Sequence, residues 1–255
     1  MKIGERSSSE QRVEQPPTTV AGETRLTLLS GFDLAIGGQV AFIPMGAQRL
    51  LAFLALNDRP LRRRYVAESL WPDTSEVRAG ANLRSVLWRL RRPSEPLIQM
   101  ANQHLRLDSG MSVDVRDSVA RARRILDRAA TLDEGDVDVG PLSFDLLPNW
   151  SDDWVLVNRE RFRQLRLHAL EALCERLTEA NRFAQAVEAG LAAVAADPLR
   201  ESAQRALIRA YLAEGNRRDA INEYRAFRRL LSDELGLPPS PEIERLVQSL
   251  SQPAV

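Results

Sequence analysis

The chain is 255 residues long and carries 35 basic against 35 acidic residues, two histidines and one cysteine. A length of that order suits one or two domains. The single Cys174 excludes an internal disulfide and a cysteine-type metal centre, His104 and His168 offer no triad or paired-ligand spacing, no GxxxxGK[ST] phosphate loop occurs, and no run of about 18 apolar residues could cross a bilayer.

Residues 1–23 are rich in Ser, Glu, Gln, Pro and Thr and lack the apolar core of a secretory signal. They read as a disordered tail on a cytoplasmic protein, with no metal, no cofactor and no enzymatic activity expected. Arg25–Leu29, Phe32–Ile36 and Gln39–Ile43 alternate around Ser30-Gly31 and Gly37-Gly38, the pattern of short antiparallel strands. Gln48–Leu56 is a compact apolar helix, and Leu61–Leu70 a second, stopped by Trp71-Pro72. A third begins after the N-cap candidates Asp73, Thr74 and Ser75 and runs to Arg92, where Pro93 ends it. Its Leu83, Val86, Leu87 and Leu90 fill one helical stripe, while Arg84, Arg89, Arg91 and Arg92 crowd its C-terminal half. Leu97–Met100 and His104–Leu107 then flank the turn Ala101-Asn102-Gln103. A small sheet, three helices and a hairpin, in that order, make a winged helix-turn-helix over residues 24–110, with the basic third helix as its reading head.

Such a helix fits a major groove, although a solvated basic face is the alternative. On the groove reading, Asn82, Ser85, Trp88 and Arg89 meet base edges: Asn suits adenine, Arg suits guanine, and an aromatic ring suits a thymine methyl. Trp88 packing on a neighbouring helix is the competing assignment. Arg78, Arg84 and Arg92 fall to phosphates. Gln48 and Arg49, at the start of the first helix, suit a phosphate held by free backbone N–H groups. Gln103 and His104 lie at the tip of the wing, placed for a minor-groove or backbone contact. Arg62, Arg63 and Arg64 suit either phosphate or a solvated turn. Charge is divided to match: Thr24–Leu107 holds 12 Arg against 6 acidic residues, net +6, and Asp108–Val255 holds 20 Arg against 25, net −5.

The remainder, residues 111–250 before a short tail at 251–255, reads as helical. Helices are expected over Val115–Ala130, Asp152–Ala180 and Glu242–Leu250, with Thr131–Pro148 a long acidic loop. Leu173 and Leu207, Cys174 and Ile208, Leu177 and Tyr211, and Ala186 and Ala220 are each 34 residues apart, the tetratricopeptide spacing, against a bundle with a chance period. Gly190 stands where Tyr224 stands in the next repeat, and Ser232 replaces the expected Pro. Cys174 falls in an apolar pattern and is expected to be a small buried hydrophobe. Trp150 and Trp154 are expected to anchor the loop on the helical core, with a partner hot spot as the alternative.

These residues carry a family resemblance. Gln48-Arg49-Leu50-Leu51, Leu70-Trp71-Pro72 and Leu87-Trp88-Arg89-Leu90-Arg91-Arg92 resemble the winged helix of the response-regulator output class. Leu147-Pro148-Asn149-Trp150, Asp152-Asp153-Trp154-Val155, Asp197-Pro198-Leu199-Arg200-Glu201, Ala213-Glu214-Gly215-Asn216-Arg217 and the run Asp233–Glu242 resemble the bacterial transcriptional activator domain. Over about Thr24–Leu250 the chain is similar to the short, two-domain form of the Streptomyces antibiotic regulatory protein family. The implied fold is mainly α with a small β component, a response-regulator-type winged helix followed by an all-α tetratricopeptide-like domain.

The resemblance also implies a mechanism. Members bind direct repeats in double-stranded DNA near the −35 promoter element as head-to-tail dimers. They recruit RNA polymerase holoenzyme partly through the loop between the second and third helices, here Trp71–Glu76, which would offer Pro72, Asp73 and Glu76 to the sigma factor. A transcriptional activator of a secondary-metabolite cluster, associated with the nucleoid, is the first expectation. A repressor or accessory regulator with the same head, or a tetratricopeptide-like scaffold, are the alternatives.

Overall fold

The computed structural model describes residues 24–91 and 96–251. The expected tail at 1–23, all of the tail expected at 251–255 but Ser251, which ends the last helix, and the helix stop at Pro93 lie outside the described residues. The chain opens with β1 (Thr24–Thr27), β2 (Asp33–Ile36) and β3 (Gln39–Val40), an antiparallel meander with Leu26 opposite Leu34. Gly37 (φ 59°) and Gly38 (φ 78°) form the two-residue turn between β2 and β3, where both positions require left-handed backbone.

Helix α1 (Met45–Leu56) follows. Its Leu50–Ala55 run is wholly buried, because the helix is apolar on nearly every side and the rest of the head packs around it. β4 (Leu61–Arg62), α2 (Arg63–Leu70) and α3 (Glu76–Arg89) come next, then β5 (Ile98–Ala101), β6 (His104–Leu107) and β7 (Met111–Val113). The wing hairpin pairs Ile98 with Leu107 and Ala101 with His104, and Asn102 (φ 47°) and Gln103 (φ 65°) make its two-residue turn.

Two strands depart from the sequence expectation. Residues 61–62, read as helix, form β4 beside β6, so the wing is a three-stranded sheet in the order β4-β6-β5. β7 pairs in parallel with β1, giving the order β3-β2-β1-β7. The first sheet therefore continues past the boundary expected at residue 110. Both strands are too short for an alternation to show, and their pairing is non-local.

The helical part comprises α4 (Asp114–Leu126), the single turns α5 (Glu134–Val137) and α6 (Gly140–Ser143), the long α7 (Asp153–Glu179), α8 (Phe183–Ala196), α9 (Glu201–Glu214), α10 (Arg217–Leu235) and α11 (Pro241–Ser251). Successive helices from α7 to α11 pack on one another. The 34-residue period is visible in the backbone as well as in the side chains. Asn181 (φ 58°) and Gly215 (φ 92°) both turn left-handed at a helix end, in the two residue types that do so most readily. Arg182 N donates to Leu177 O at 2.9 Å and Asn216 N to Tyr211 O at 2.8 Å, the same closing bond one repeat later. Ala186 and Ala220 are both fully buried at the crossings.

Cys174 is buried on α7, and desolvation pushes its thiol up to about 12, which leaves it inert. It faces Gly190 of α8. A Cβ on Gly190 would lie 3.0 Å from Leu207 Cδ1, 3.1 Å from Leu207 Cβ and 3.2 Å from Cys174 Sγ. Alanine would favour the helix by about 1 kcal/mol, but overpacking three helices costs about 1–3 kcal/mol. Gly190→Ala is therefore expected to lower the melting temperature by a few degrees. A raised melting temperature would show slack at this crossing.

The segment Thr131–Pro148, expected as a long loop, is a fastened strap. Asp133 and Asp136 cap α5 reciprocally: Asp136 N donates to Asp133 Oδ1 at 2.8 Å, and Asp133 N to Asp136 Oδ2 at 3.2 Å. Arg124 of α4 adds an ion pair to Asp136 at 2.6 Å. Burial pushes the Asp136 carboxyl up, yet the Arg124 guanidinium and the Asp133 N–H outweigh it and hold it below the usual carboxylate range. A depressed carboxyl stabilises the fold above its unfolded value and loses that contribution as pH falls through its folded value. Asp136→Asn is accordingly expected to lower stability by about 1–3 kcal/mol at neutral pH. The gap to wild type should close on acidification below the carboxylate range. Parallel melting curves for the two proteins across that range would contradict the assignment.

The head and the helical part share one seam. Leu147 N donates to Leu28 O and Ser30 N to Asp145 O, both at 2.9 Å, so the strap docks beside β1. Asp114, opening α4, accepts from Leu28 N and Leu29 N at 2.9 Å each. Arg116 donates to Ala55 O at 2.9 Å and Leu54 O at 3.3 Å, capping the C-terminus of α1. Trp150 and Trp154 do not anchor the strap on the helical core, as expected from sequence. Trp150 stacks on Phe32 of the head at 6.0 Å, Trp154 meets Phe53 of α1 edge-on at 5.2 Å, and the two indoles lie 6.3 Å apart. Both therefore fix the head to the helices.

Candidate nucleic-acid interface

Helix α3 starts at the N-cap Ser75, whose hydroxyl accepts from Arg78 N at 3.4 Å. Its inner stripe of Ala79, Leu83 and Leu87 is buried against α1 and α2, which turns the opposite stripe to solvent. Arg78, Arg84, Ser85, Trp88 and Arg89 are exposed and Asn82 is half-buried beside them. Trp88 is 74% exposed, so it does not pack on a neighbouring helix. Val77, 81% exposed in the first turn of α3 on the same side as Trp88, carries no signal of that exposure in the sequence. Its exposure shows only once the buried stripe is fixed. The side chains of Arg78, Arg84, Arg89 and Arg91 make no hydrogen bond or ion pair with the described residues. Arg92, expected to continue this row, lies outside the described residues, and the helix itself ends at Arg89.

The wing flanks this surface. Gln103 is exposed at its tip, and its carbonyl accepts from Arg63 N at 2.9 Å, pinning the turn to the start of α2. His104 is half-buried, with Nδ1 2.8 Å from Asn102 O. A groove between α2, α3 and the wing tip is lined by Arg63, Arg64, Glu76, Val77, Arg84 and Gln103.

Two sequence assignments, Gln48 and Arg49, do not hold. Helix α1 begins at Met45, behind Pro44, so Gln48 and Arg49 sit inside the first turns rather than at the start. Gln48 N already donates to Pro44 O at 3.1 Å, and the Gln48 side chain to Ile43 O at 3.0 Å. Arg49 is half-buried and ion-paired with Asp152 across the seam. Neither residue presents the free N–H groups that a phosphate would need. Arg64, one of three arginines read as candidates for phosphate, is held by Glu68 at 2.8 Å and Glu76 at 2.9 Å. Glu76 is ion-paired there yet exposed, and Pro72 and Asp73 stand exposed beside it on the α2–α3 loop. The inner side of that loop faces Asn149–Trp154 at the seam.

Among the described residues there is no group of His, Cys, Asp and Glu that could hold a metal, and no helix long and apolar enough to cross a membrane. What the surface offers is a cationic rod with an exposed indole, beside a short rigid hairpin.

Comparisons with known proteins agree with this architecture. Residues 102–251, more than half of the chain, match the bacterial transcriptional activator domain. Regulatory protein AfsR of Streptomyces griseus is 26% identical over 251 residues, covering 94% of this chain and 26% of AfsR. AfsR of Streptomyces coelicolor is 27% identical over 227 residues, covering 82% of this chain and 22% of that protein. The chain thus spans about a quarter of the length of these curated relatives. The solved structure of Mycobacterium tuberculosis EmbR, in complex with a low-affinity phosphopeptide, shares the fold with a TM-score of 0.64 at 22% identity, over 91% of this chain and 66% of that one. The chain carries the bacterial transcriptional activator domain and belongs to the Streptomyces antibiotic regulatory protein family of transcriptional regulators.

Proposed function

We propose that this protein is a sequence-specific DNA-binding activator that lays α3 in the major groove of direct repeats near the −35 promoter element. One observation carries the reading: the outward stripe of α3 is cationic, unpaired and unobstructed, with a 74% exposed Trp88 among its arginines. Leaving an indole in water forgoes a large apolar burial that a groove contact would supply. Asn82, Ser85, Trp88 and Arg89 meet base edges, Arg78 and Arg84 meet phosphates, and Gln103 and His104 bring the wing to the flanking backbone or minor groove. Two copies bind head to tail. Pro72 and Asp73, with Glu76 held next to them by Arg64, form the face offered to the sigma factor of RNA polymerase holoenzyme. The family resemblance supports a secondary-metabolite cluster as the regulated target.

Selection of duplexes from a random pool by the full chain tests the reading. Enrichment of a repeated motif, with retention that weakens steeply as salt rises, is the expected result. No retention of any duplex would leave the tetratricopeptide-like scaffold instead. Transcription in vitro with added holoenzyme separates an activator, which raises transcript from the selected site, from a repressor, which lowers it.

A further inference from the structure

Helix α10 carries a second cationic face far along the chain from the reading head. Its Arg217, Arg218, Arg225, Arg228 and Arg229 are all exposed. At 100° per residue, Arg218, Arg225 and Arg229 fall opposite the buried Ala220, Phe227 and Leu231, and Arg217 and Arg228 flank them on one side. None of the five side chains bonds to the described residues. Several other arginines of the helical part are partnered, Arg124 with Asp136, Arg163 with Glu160 and Asp197, Arg176 with the carbonyls that close α4. Arg123, Arg161 and Arg205 stand without a side-chain bond among the described residues, but on three different helices rather than on one ridge.

The arrangement works against the helix that holds it. Arg217 and Arg218 stand at the positive end of the macrodipole, and Arg225 and Arg229 repel each other one turn apart. The acidic residues of α10 relieve this only at one end. Asp233 stands one turn beyond Arg229 on the same side, whereas Glu223 is half-buried, where desolvation pushes its carboxyl up, Asp219 lies on the other flank, and Glu234 is in the last turn. No side-chain bond among the described residues engages the five arginines.

We propose that this ridge is a second, sequence-independent contact for duplex DNA, resting on the phosphates that flank the site read by α3. The inference depends on the DNA reading above. Two features favour phosphate over an acidic protein surface. A protein interface needs apolar or aromatic anchors at its centre, and α10 exposes no large apolar side chain before Leu235. The ridge from Arg218 to Arg229 is about 16 Å long at 1.5 Å per residue, enough to meet several phosphates of a duplex that carries a charge about every 1.7 Å of its axis.

The test uses the full chain and the triple variant Arg218→Gln, Arg225→Gln, Arg229→Gln. Exposed and unbonded, these side chains can be replaced without loss of melting temperature. Affinity is measured over graded salt on a short duplex that covers only the winged-helix footprint, and on the same duplex with long flanks of arbitrary sequence. Wild type is expected to bind the long duplex more tightly and with a steeper salt dependence. The variant should match wild type on the short duplex but lose the advantage of the flanks, and its slope should fall by about 2–3, at about 0.9 per phosphate contact. Equal slopes and equal length dependence in the two proteins would overturn the proposal. So would a variant that changes only the self-association of the protein at low salt, which would mean that the ridge meets an acidic protein surface. Failure of wild type on both duplexes is a different result: it removes the DNA reading itself, and this inference with it.

Discussion

Replacing Arg89 with alanine is expected to remove about 1–3 kcal/mol of sequence-specific binding and to relax discrimination at one base pair, with the melting temperature unchanged. Arg89 is the last residue of α3, exposed and without a partner among the described residues. No folded-state bond is lost when it is removed, so the whole effect should fall on DNA. A guanidinium forked to the O6 and N7 of guanine contributes only where that guanine is present, so the loss should vanish on duplexes changed at that position. Arg78 is the contrasting case. Its position near the start of α3 suits a phosphate, and Arg78→Ala should weaken binding to all sequences alike and flatten the salt slope by about 0.9. If Arg89→Ala behaved in the same uniform way, Arg89 would move from base readout to the backbone.

The second large effect concerns the seam. Trp154→Ala is expected to lower stability by about 3 kcal/mol, at the low end for a truncated aromatic because the indole is partly exposed. It removes the edge contact to Phe53 and the contact to Trp150 together. Its Nε1 is buried with no partner, so no hydrogen bond is forfeited. For a chain of this size the melting temperature should fall by roughly 5–10 °C. Loss of this wedge should also let the head move against the helices, so protease should cut within Asp145–Asp152 sooner than in wild type. Trp154→Phe, which keeps an aromatic face toward Phe53, should recover most of the loss. An unchanged melting temperature in Trp154→Ala would mean that the other seam contacts, among them Asp114 with β1, Arg49 with Asp152 and Arg116 with α1, hold the two parts without it.

The reading head was legible because each of its parts is local. The apolar stripe of α3, the two-residue turn of the wing and the glycine pair at Gly37-Gly38 are patterns within a few residues. The repeat was legible for the same reason, and its backbone signature at Asn181 and Gly215 follows from the residue types that tolerate left-handed turns. What sequence hid was non-local. The partner of Arg49 is 103 residues away at Asp152, and that of Arg116 is 61 away at Ala55, and no periodicity encodes such pairs. The start of α1 is hidden because Pro44 precedes it with no side-chain cap, so nothing local marks Met45 rather than Gln48 as the helix terminus. The exposure of Trp88 could not be settled either, since an aromatic at the edge of an apolar stripe fits a core and a groove equally until the packing is known.

The central claim is that the outward stripe of α3 reads DNA. Its most direct measurement is the affinity of the full chain and of an Arg78→Ala, Arg89→Ala variant for the motif enriched from a random pool, against the same duplex with its bases shuffled. Wild type is expected to bind tightly and only with the motif, and the variant, with unchanged melting temperature, to bind both duplexes equally weakly. A variant that still prefers the motif as strongly as wild type would contradict the claim.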